Sequence, residues 1–201
     1  MKMAECAKKT GYSEADLLRA EDGVRTAMEK LELDEEHWPT AELNLQDTPG
    51  RIVRYWADAT SGAHMLKPEV RVFQSAHDQI LLVKGIDFTS LCSHHFLPFF
   101  GRASFAYIPD GKVLGVSKPA RVVDYFAAQP QTQEKLTKEV ADFLQAELRA
   151  KGIAVVLEAV HTCIACRGAH KANASFVTSK LLGVFETDAK ARSEVLDLIN
   201  G

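Results

Sequence analysis

The sequence has no apolar run long enough to cross a bilayer, which excludes a spanning helix. It also has no basic excess. Its 24 Lys and Arg are outnumbered by 27 Asp and Glu, for a formal net charge of −3, and the sequence pI is about 6.2. A general nucleic-acid or membrane-surface role needs the opposite balance, so neither partner is expected. The first residues, MKMAECAKKTGYSEADLL, lack the apolar core of a secretory signal, and a cytoplasmic location is expected. Cysteine is scarce: Cys6, Cys92, Cys163 and Cys166 are the only four. In a reducing compartment these are expected to be metal ligands or free thiols rather than disulfides. Internal repeats and low-complexity stretches are absent too, which removes solenoids and disordered tails from consideration.

What is present is one ordinary globular composition, 46% hydrophobic and 25% charged, in a chain long enough for one sizeable core. Residues 13–33 read as a helix: Leu17, Leu18, Val24, Met28 and Leu31 recur at helical spacing, and Ser13 with Asp16 forms a weak capping pair. Thr48-Pro49 opens a second helix, closed by Ser61-Gly62. From about residue 69 the pattern turns β-like, with Val70, Val72 and Phe73, then Ile80 to Val83, residues 101–108 and Val113 to Val116. Residues 118–128 and 132–150 read as helices, with Gly152 as the stop. Ile153 to Val160 and Phe176 to Phe185 read as strands, and Ala189 to Ile199 as a last helix. Helices first, then strands with a helical pair inserted, predict an α+β fold: an antiparallel sheet packed on helices. Residues 1–66 form an N-terminal helical region and 67–201 the main domain.

Two clusters carry candidate chemistry. Cys92-Ser93-His94-His95 ends one β-like segment, and His161-Thr162-Cys163-Ile164-Ala165-Cys166 ends another. Thiolates with imidazole suit zinc. On spacing alone the commoner arrangement is a closed structural site of Cys92, His95, Cys163 and Cys166. The sharper one has three ligands and an open fourth position, with His94 and His161 beside it for proton transfer. The residues by themselves leave both open. Two cysteines three apart on an extended strand would point to opposite faces, which disfavours shared coordination unless the chain turns there.

Several separate blocks resemble the type I GTP cyclohydrolase family. They are Asp47-Thr48-Pro49-Gly50-Arg51, Ser90 to His95, Leu114 to Arg121, Gln131 to Thr137, His161-Thr162-Cys163 with Arg167-Gly168, and Leu182 to Phe185. They run in family order from about residue 45 to the C-terminus, a far more specific signal than any one motif. The resemblance implies a tunnelling (T-fold) architecture assembled as a ring-shaped homodecamer with sites at subunit interfaces. It implies Zn2+ on Cys92, His95 and Cys163, the open site, and proton handling by His94 and His161. It further implies that Glu134, helped by Gln133, reads the guanine edge and that Ser117 lies near the ribose. Lys118, Arg121 and Arg167 would surround the triphosphate, with Arg51 donated by a neighbouring subunit. The expected reaction is hydrolysis of GTP to 7,8-dihydroneopterin triphosphate with release of formate.

The residue types fit that chemistry independently. Zinc brings the pKa of a bound water to ~7, and imidazole titrates near neutrality. A carboxylate accepts from guanine N1–H and its amine, which adenine cannot offer. Four cations balance a triphosphate. Taken singly the same residues have plainer readings: Lys118 and Arg121 as a solvated face, Glu134 as a favourable charge at a helix start, Ser117 as a cap. The chain also departs from the family pattern. Ser93 replaces a usual Glu, Ala174 and Phe176 replace hydroxyl residues, and Lys135 replaces a commoner Arg. Ser93 and Phe176 motivate one alternative, a paralogue acting on another purine nucleotide or stopping after imidazole opening; Cys166 motivates another, a non-catalytic ring subunit whose zinc it closes.

Overall fold

The computed structural model describes residues 2–34, 36–37 and 45–201. It divides into two compact units, residues 1–66 and 67–201. The first is helical: α1 (Met3–Thr10), α2 (Glu14–Lys30) and α3 (Thr48–Ala59), followed by a 3-10 turn at Ser61–Ala63. Ser13 caps α2 by accepting from the Asp16 amide, and Gly23 does not interrupt it. Met3, Cys6, Leu17, Val53 and Ala57 form its small core. The chain leaves α1 through Gly11 at φ 81°. A Cβ there would stand 2.6 Å from the His64 Cβ, so only glycine fits. The sequence pattern did not mark α1, an eight-residue helix that buries only Met3, Cys6 and Thr10.

The second unit is α+β. Five strands order as β5-β2-β3-β6-β7, where β2 is Leu81–Cys92, β3 Pro98–Ile108, β5 Pro130–Gln131, β6 Gly152–His161 and β7 Ser175–Gly183. All neighbours are antiparallel except the short β2–β5 pair. A separate ribbon pairs β1 (Val72–Gln74) with β4 (Lys112–Leu114). β2 is much longer than the Ile80 to Val83 run suggests. Its register shifts between Val83 and Ile86, where Gly85 adopts φ 74°. Such a bulge breaks the period-2 pattern by which a strand is recognised.

Neighbouring residues of a strand face opposite sides, and both sides are used. Phe99, Phe105 and Tyr107 meet Val122 and Val123 of α4 (Lys118–Ala127) and Leu136, Val140 and Leu144 of α5 (Gln133–Leu148). Ala106 and Ala154 instead meet Phe185 of α7 (Val184–Thr187) and Val195 and Ile199 of α8 (Ala189–Asn200). Each fully buried Phe contributes about 1.5–3 kcal/mol relative to exposure. Thr132 caps α5 by accepting from the Lys135 amide, and Asp188 caps α8. α5 ends at Arg149 in the left-handed region, φ 53°, three residues before Gly152, which opens β6 instead of stopping the helix. Likewise β7 gives way at Gly183 to α7, so Phe185 is helical rather than the end of a strand.

Candidate functional site

The fold brings three sheet ends together. β2 terminates at Cys92, and a tight hairpin returns the chain to β3. The Cys92 amide donates to the Leu97 carbonyl and the Phe96 amide to the Cys92 carbonyl, both at 2.9 Å. Phe96 takes a positive φ of 53° to close the turn. This reversal sets His95 Nδ1 3.9 Å from Cys92 Sγ. From the other side, β6 ends at His161 and passes into α6, a single helical turn at Thr162–Ala165. Thr162 Oγ1 donates to the Pro98 carbonyl at 2.6 Å, which fastens that turn to the start of β3. Cys163 is thereby carried to the hairpin. The ligand atoms of Cys92, His95 and Cys163 all lie within 4.8 Å of one another.

This set fits a metal. Tetrahedral bonds of ~2.3 Å to sulfur and ~2.0–2.1 Å to nitrogen separate the donors by about 3.6–3.8 Å. The 3.9 Å sulfur–nitrogen spacing is within easy adjustment of that. Electrostatics point the same way. Burial pushes the Cys163 thiol up, and the Cys92 thiol beside it pushes further, against a smaller pull from Arg167. A Cys163 thiol held up in this way is the kind that a soft divalent ion would bring to the thiolate on binding.

Cys166 does not join the group. The chain does turn after His161, so the strand argument against Cys163 and Cys166 sharing a metal loses its premise; the observed separation has another cause. Cys166 is exposed, and its Sγ is turned back on the Thr162 carbonyl at 2.8 Å. Among the described residues the cluster therefore offers three protein donors.

His161 stands beside the cluster, and its ring is enclosed. Phe99 lies parallel to it at 4.5 Å between centroids, and Phe176 presents an edge at 5.7 Å. Its Nε2 is 2.9 Å from Gln133 Oε1. Burial holds the imidazole below its ordinary value, and the Glu134 charge opposes that shift. Adjacent residues of a helix are about 100° apart, and here that angle separates two neighbours expected to work together. Glu134 is exposed on the first turn of α5, whereas Gln133 is fully buried. The Gln133 amide nitrogen is spent on the carbonyls of Leu157 and Phe176 and on Thr178 Oγ1, at 3.0, 2.9 and 3.1 Å. Gln133 thus lies beneath His161, while Glu134 faces solvent.

The remaining site candidates are less tightly placed. His94 is exposed, its ring 6.3 Å from that of His95. Arg167 is exposed in the turn after α6. Ser117, Lys118 and Arg121 gather at the start of α4. Ser117 makes no side-chain cap bond, so its hydroxyl is not used as the plain capping reading would have it. Lys118 Nζ donates to the Glu69 carbonyl at 3.0 Å. Arg51 belongs to the N-terminal unit, exposed on α3, with its guanidinium 3.7 Å from the Asp47 carboxylate. An open groove of about 370 Å³ between Asp87, Phe88, Thr89, Phe100, Gly101 and Arg102 contains none of these residues.

A family model for GTP cyclohydrolase I matches residues 20–200. The chain belongs to the GTP cyclohydrolase I family. Relatives carrying the name GTP cyclohydrolase 1 agree with it over most of its length. One from Rhodopirellula baltica is 42% identical over 199 residues, covering 96% of this chain and 83% of its own. One from a Sulfurihydrogenibium species is 44% identical, covering 92% and 96%. One from Coxiella burnetii is 46% identical, covering 77% and 86%. A solved structure, the archaeosine synthase QueF-Like in the apo form, superposes with a TM-score of 0.44 at 16% identity over 55% of this chain and 97% of that one, too weak a likeness to argue from. Membership makes the chain a hydrolase of the GTP cyclohydrolase I type. Among the described residues no helix is long and apolar enough to cross a membrane.

Within this family member, three neighbours of the site escape sequence reasoning. Phe99 falls just before the strand read at 101–108, Thr137 inside the helix read at 132–150 and Thr178 inside the strand read from Phe176, and none is singled out for the site. Phe99 reaches His161 because the two are register partners between β3 and β6, and register is not written in a single sequence.

Proposed function

We propose that this chain hydrolyses GTP to 7,8-dihydroneopterin triphosphate and formate, the opening step of a pterin or folate-type route, using zinc on Cys92, His95 and Cys163. The observation that carries this reading is the convergence of those three donors within 4.8 Å, with the enclosed His161 alongside. Zinc bound there would supply a Lewis acid and a water acidic enough to be activated near neutrality.

The chain's own groups do the rest. Guanine C8 is a weak electrophile, and protonation at N7 makes it open to attack. His161 is the group that moves this proton, and His94 and Ser117 handle those of the later ribose rearrangement. Glu134 accepts from guanine N1–H and the exocyclic amine; its charge is near enough to act on His161. Lys118, Arg121 and Arg167 receive the triphosphate near a helix N-terminus that already favours anions. Arg51 completes that charge from a neighbouring subunit in a ring-shaped homodecamer of T-fold protomers. Residues 67–201 are then the catalytic domain and 1–66 the N-terminal helical region.

The test is to incubate purified, zinc-loaded protein with GTP, measuring formate and, after oxidation, fluorescent neopterin. Equal amounts of both support the full reaction. A second reading has its own observation: Phe176 sets an aromatic edge against His161 where the family pattern has hydroxyls. If that edge reshapes the pocket, the chain stops after imidazole opening or takes another purine nucleotide. Formate without neopterin, or faster turnover of GDP or a modified purine nucleotide, would select this reading. The third possibility, a non-catalytic subunit with a closed zinc, is opposed by Cys166 lying outside the donor group.

A further inference from the structure

We infer that Gln133 is a positioning residue that holds His161 in a single tautomer, with the proton on Nε2 and Nδ1 left as the nitrogen that exchanges a proton with substrate. The inference rests on the proposed role of His161 and adds which ring atom performs it.

The argument follows from which atoms can donate. Gln133 Nε2 faces the carbonyl oxygens of Leu157 and Phe176. Carbonyls only accept, so the amide NH2 must be on that side. Thr178 Oγ1 takes a further contact from the same nitrogen. The hydroxyls close the circuit. Thr137 donates its one proton to the Gln133 backbone carbonyl at 2.7 Å, so across the 2.6 Å contact between the two threonines Thr178 is the donor. Thr178 is then left to accept from Gln133, which agrees with the amide orientation already required.

With the NH2 fixed, Oε1 is fixed opposite it, 2.9 Å from His161 Nε2. An amide oxygen has no proton to give. The bond exists only if His161 Nε2 carries the hydrogen, in the neutral ring as well as the charged one. Nδ1 has no hydrogen-bond partner among the described residues. A half-turn of the ring about Cβ–Cγ would keep it parallel to Phe99 but would put Cε1 where Nε2 now stands, so the bond to Gln133 Oε1 is what selects this orientation. Gln133 is fully buried and has its whole amide committed, so it is not free to contact guanine.

The tautomer can be read directly. In protein labelled with 15N-histidine, two-bond 1H–15N correlations distinguish an Nε2–H ring from an Nδ1–H ring. The wild type is expected to show His161 as Nε2–H, assigned by its disappearance in His161→Ala. Gln133→Met keeps the volume and removes the acceptor, and should yield a mixture of tautomers at unchanged zinc content. It should also lower kcat by about 10–100-fold, the scale of losing a histidine's orienting partner, with KM within about threefold. Gln133→Glu, which retains an acceptor, should recover part of kcat.

An Nδ1–H ring in the wild type overturns the proposal, as does an unchanged single tautomer in Gln133→Met. So does a rise in KM at constant kcat, which would mean that Gln133 binds the base directly. If Gln133→Met proves unfolded by circular dichroism, Thr178→Val decides with the wild type. The two carbonyls still orient the amide, so Nε2–H must persist in both, and Nδ1–H in either is fatal. Failure of the wild type to release formate from GTP would sink the functional reading alone, since the tautomer is measured without substrate.

Discussion

The two halves of the candidate site are built differently. Cys92 and His161 end paired strands and Cys163 lies on the helical turn that follows His161, and each is fixed by contacts that cost energy to break: a hairpin closed by two backbone bonds, a threonine latch, a buried amide. The cations proposed to receive the triphosphate are, among the described residues, held far more loosely. Arg121 and Arg167 are exposed, and among the described residues Lys118 donates to a backbone carbonyl. The difference separates what must be positioned from what must merely be charged. Groups that act on a reacting bond gain from preorganisation because they do not reorganise during the reaction. Long cationic side chains around a triphosphate lose rotamer freedom on binding and are repaid by charge alone.

Breaking the rigid half should do the greatest damage. Cys163→Ala is expected to abolish both metal retention and formate release, as should dialysis against a chelator, with zinc restoring only the wild type. Metal analysis beside the formate assay checks this; retention of a full metal equivalent by Cys163→Ala would show that the three donors do not form the centre. Next comes His161→Ala, with metal content preserved and formate release lowered about 10²–10⁴-fold, the usual contribution of a positioned acid or base. Unchanged formate release would remove His161 from the proton transfer.

The same contrast governs how much the sequence revealed. Local spacing, Cys-x-x-His and Cys-x-x-Cys, marked the candidate donors but kept Cys166 among them; the family resemblance selected Cys92, His95 and Cys163, the three that the structure brings together. α5 was legible because Leu136, Val140, Leu144 and Leu148 repeat at helical spacing and are all buried. What surrounds the donors was not legible. Phe99 meets His161 through strand register. Thr178 meets Gln133 across 45 residues. Gln133 and Glu134 look like one unit in sequence, yet the helix turns one inward and one outward. β2 hid its length behind the Gly85 bulge, and α1 is too short for a periodic signal. Local spacing survives in a sequence, while partners brought by the sheet do not.

The flexible half should fail more gently and in a different parameter. Lys118→Ala and Arg121→Ala are each expected to raise KM about 10–100-fold, the scale of one hydrogen bond to a charged group at 1.5–3 kcal/mol, with kcat within a few-fold. Added salt should raise the wild-type KM as well and narrow the gap to the variants, since exposed charges are screened. A fall in kcat at constant KM would place these residues with the rigid half and end the distinction.

The smallest expected effect concerns folding stability and tests whether His161 is truly enclosed. In an unfolded chain an imidazole takes its proton near pH 6.5. In the folded protein burial lowers that value, only partly offset by Glu134. As pH falls below about 6.5 the unfolded state therefore binds this proton before the folded state does, and the equilibrium moves toward unfolding. The stability is present above the unfolded value and is lost as pH falls through the folded one. Denaturant unfolding of wild type and His161→Gln at matched metal content, across pH 5 to 8, isolates this group from the other six histidines. The substitution should flatten the acid side of the stability profile and leave the neutral side parallel. Superimposable slopes would mean that the folded ring takes up its proton as readily as a free one, and that the aromatic enclosure around it is open to water.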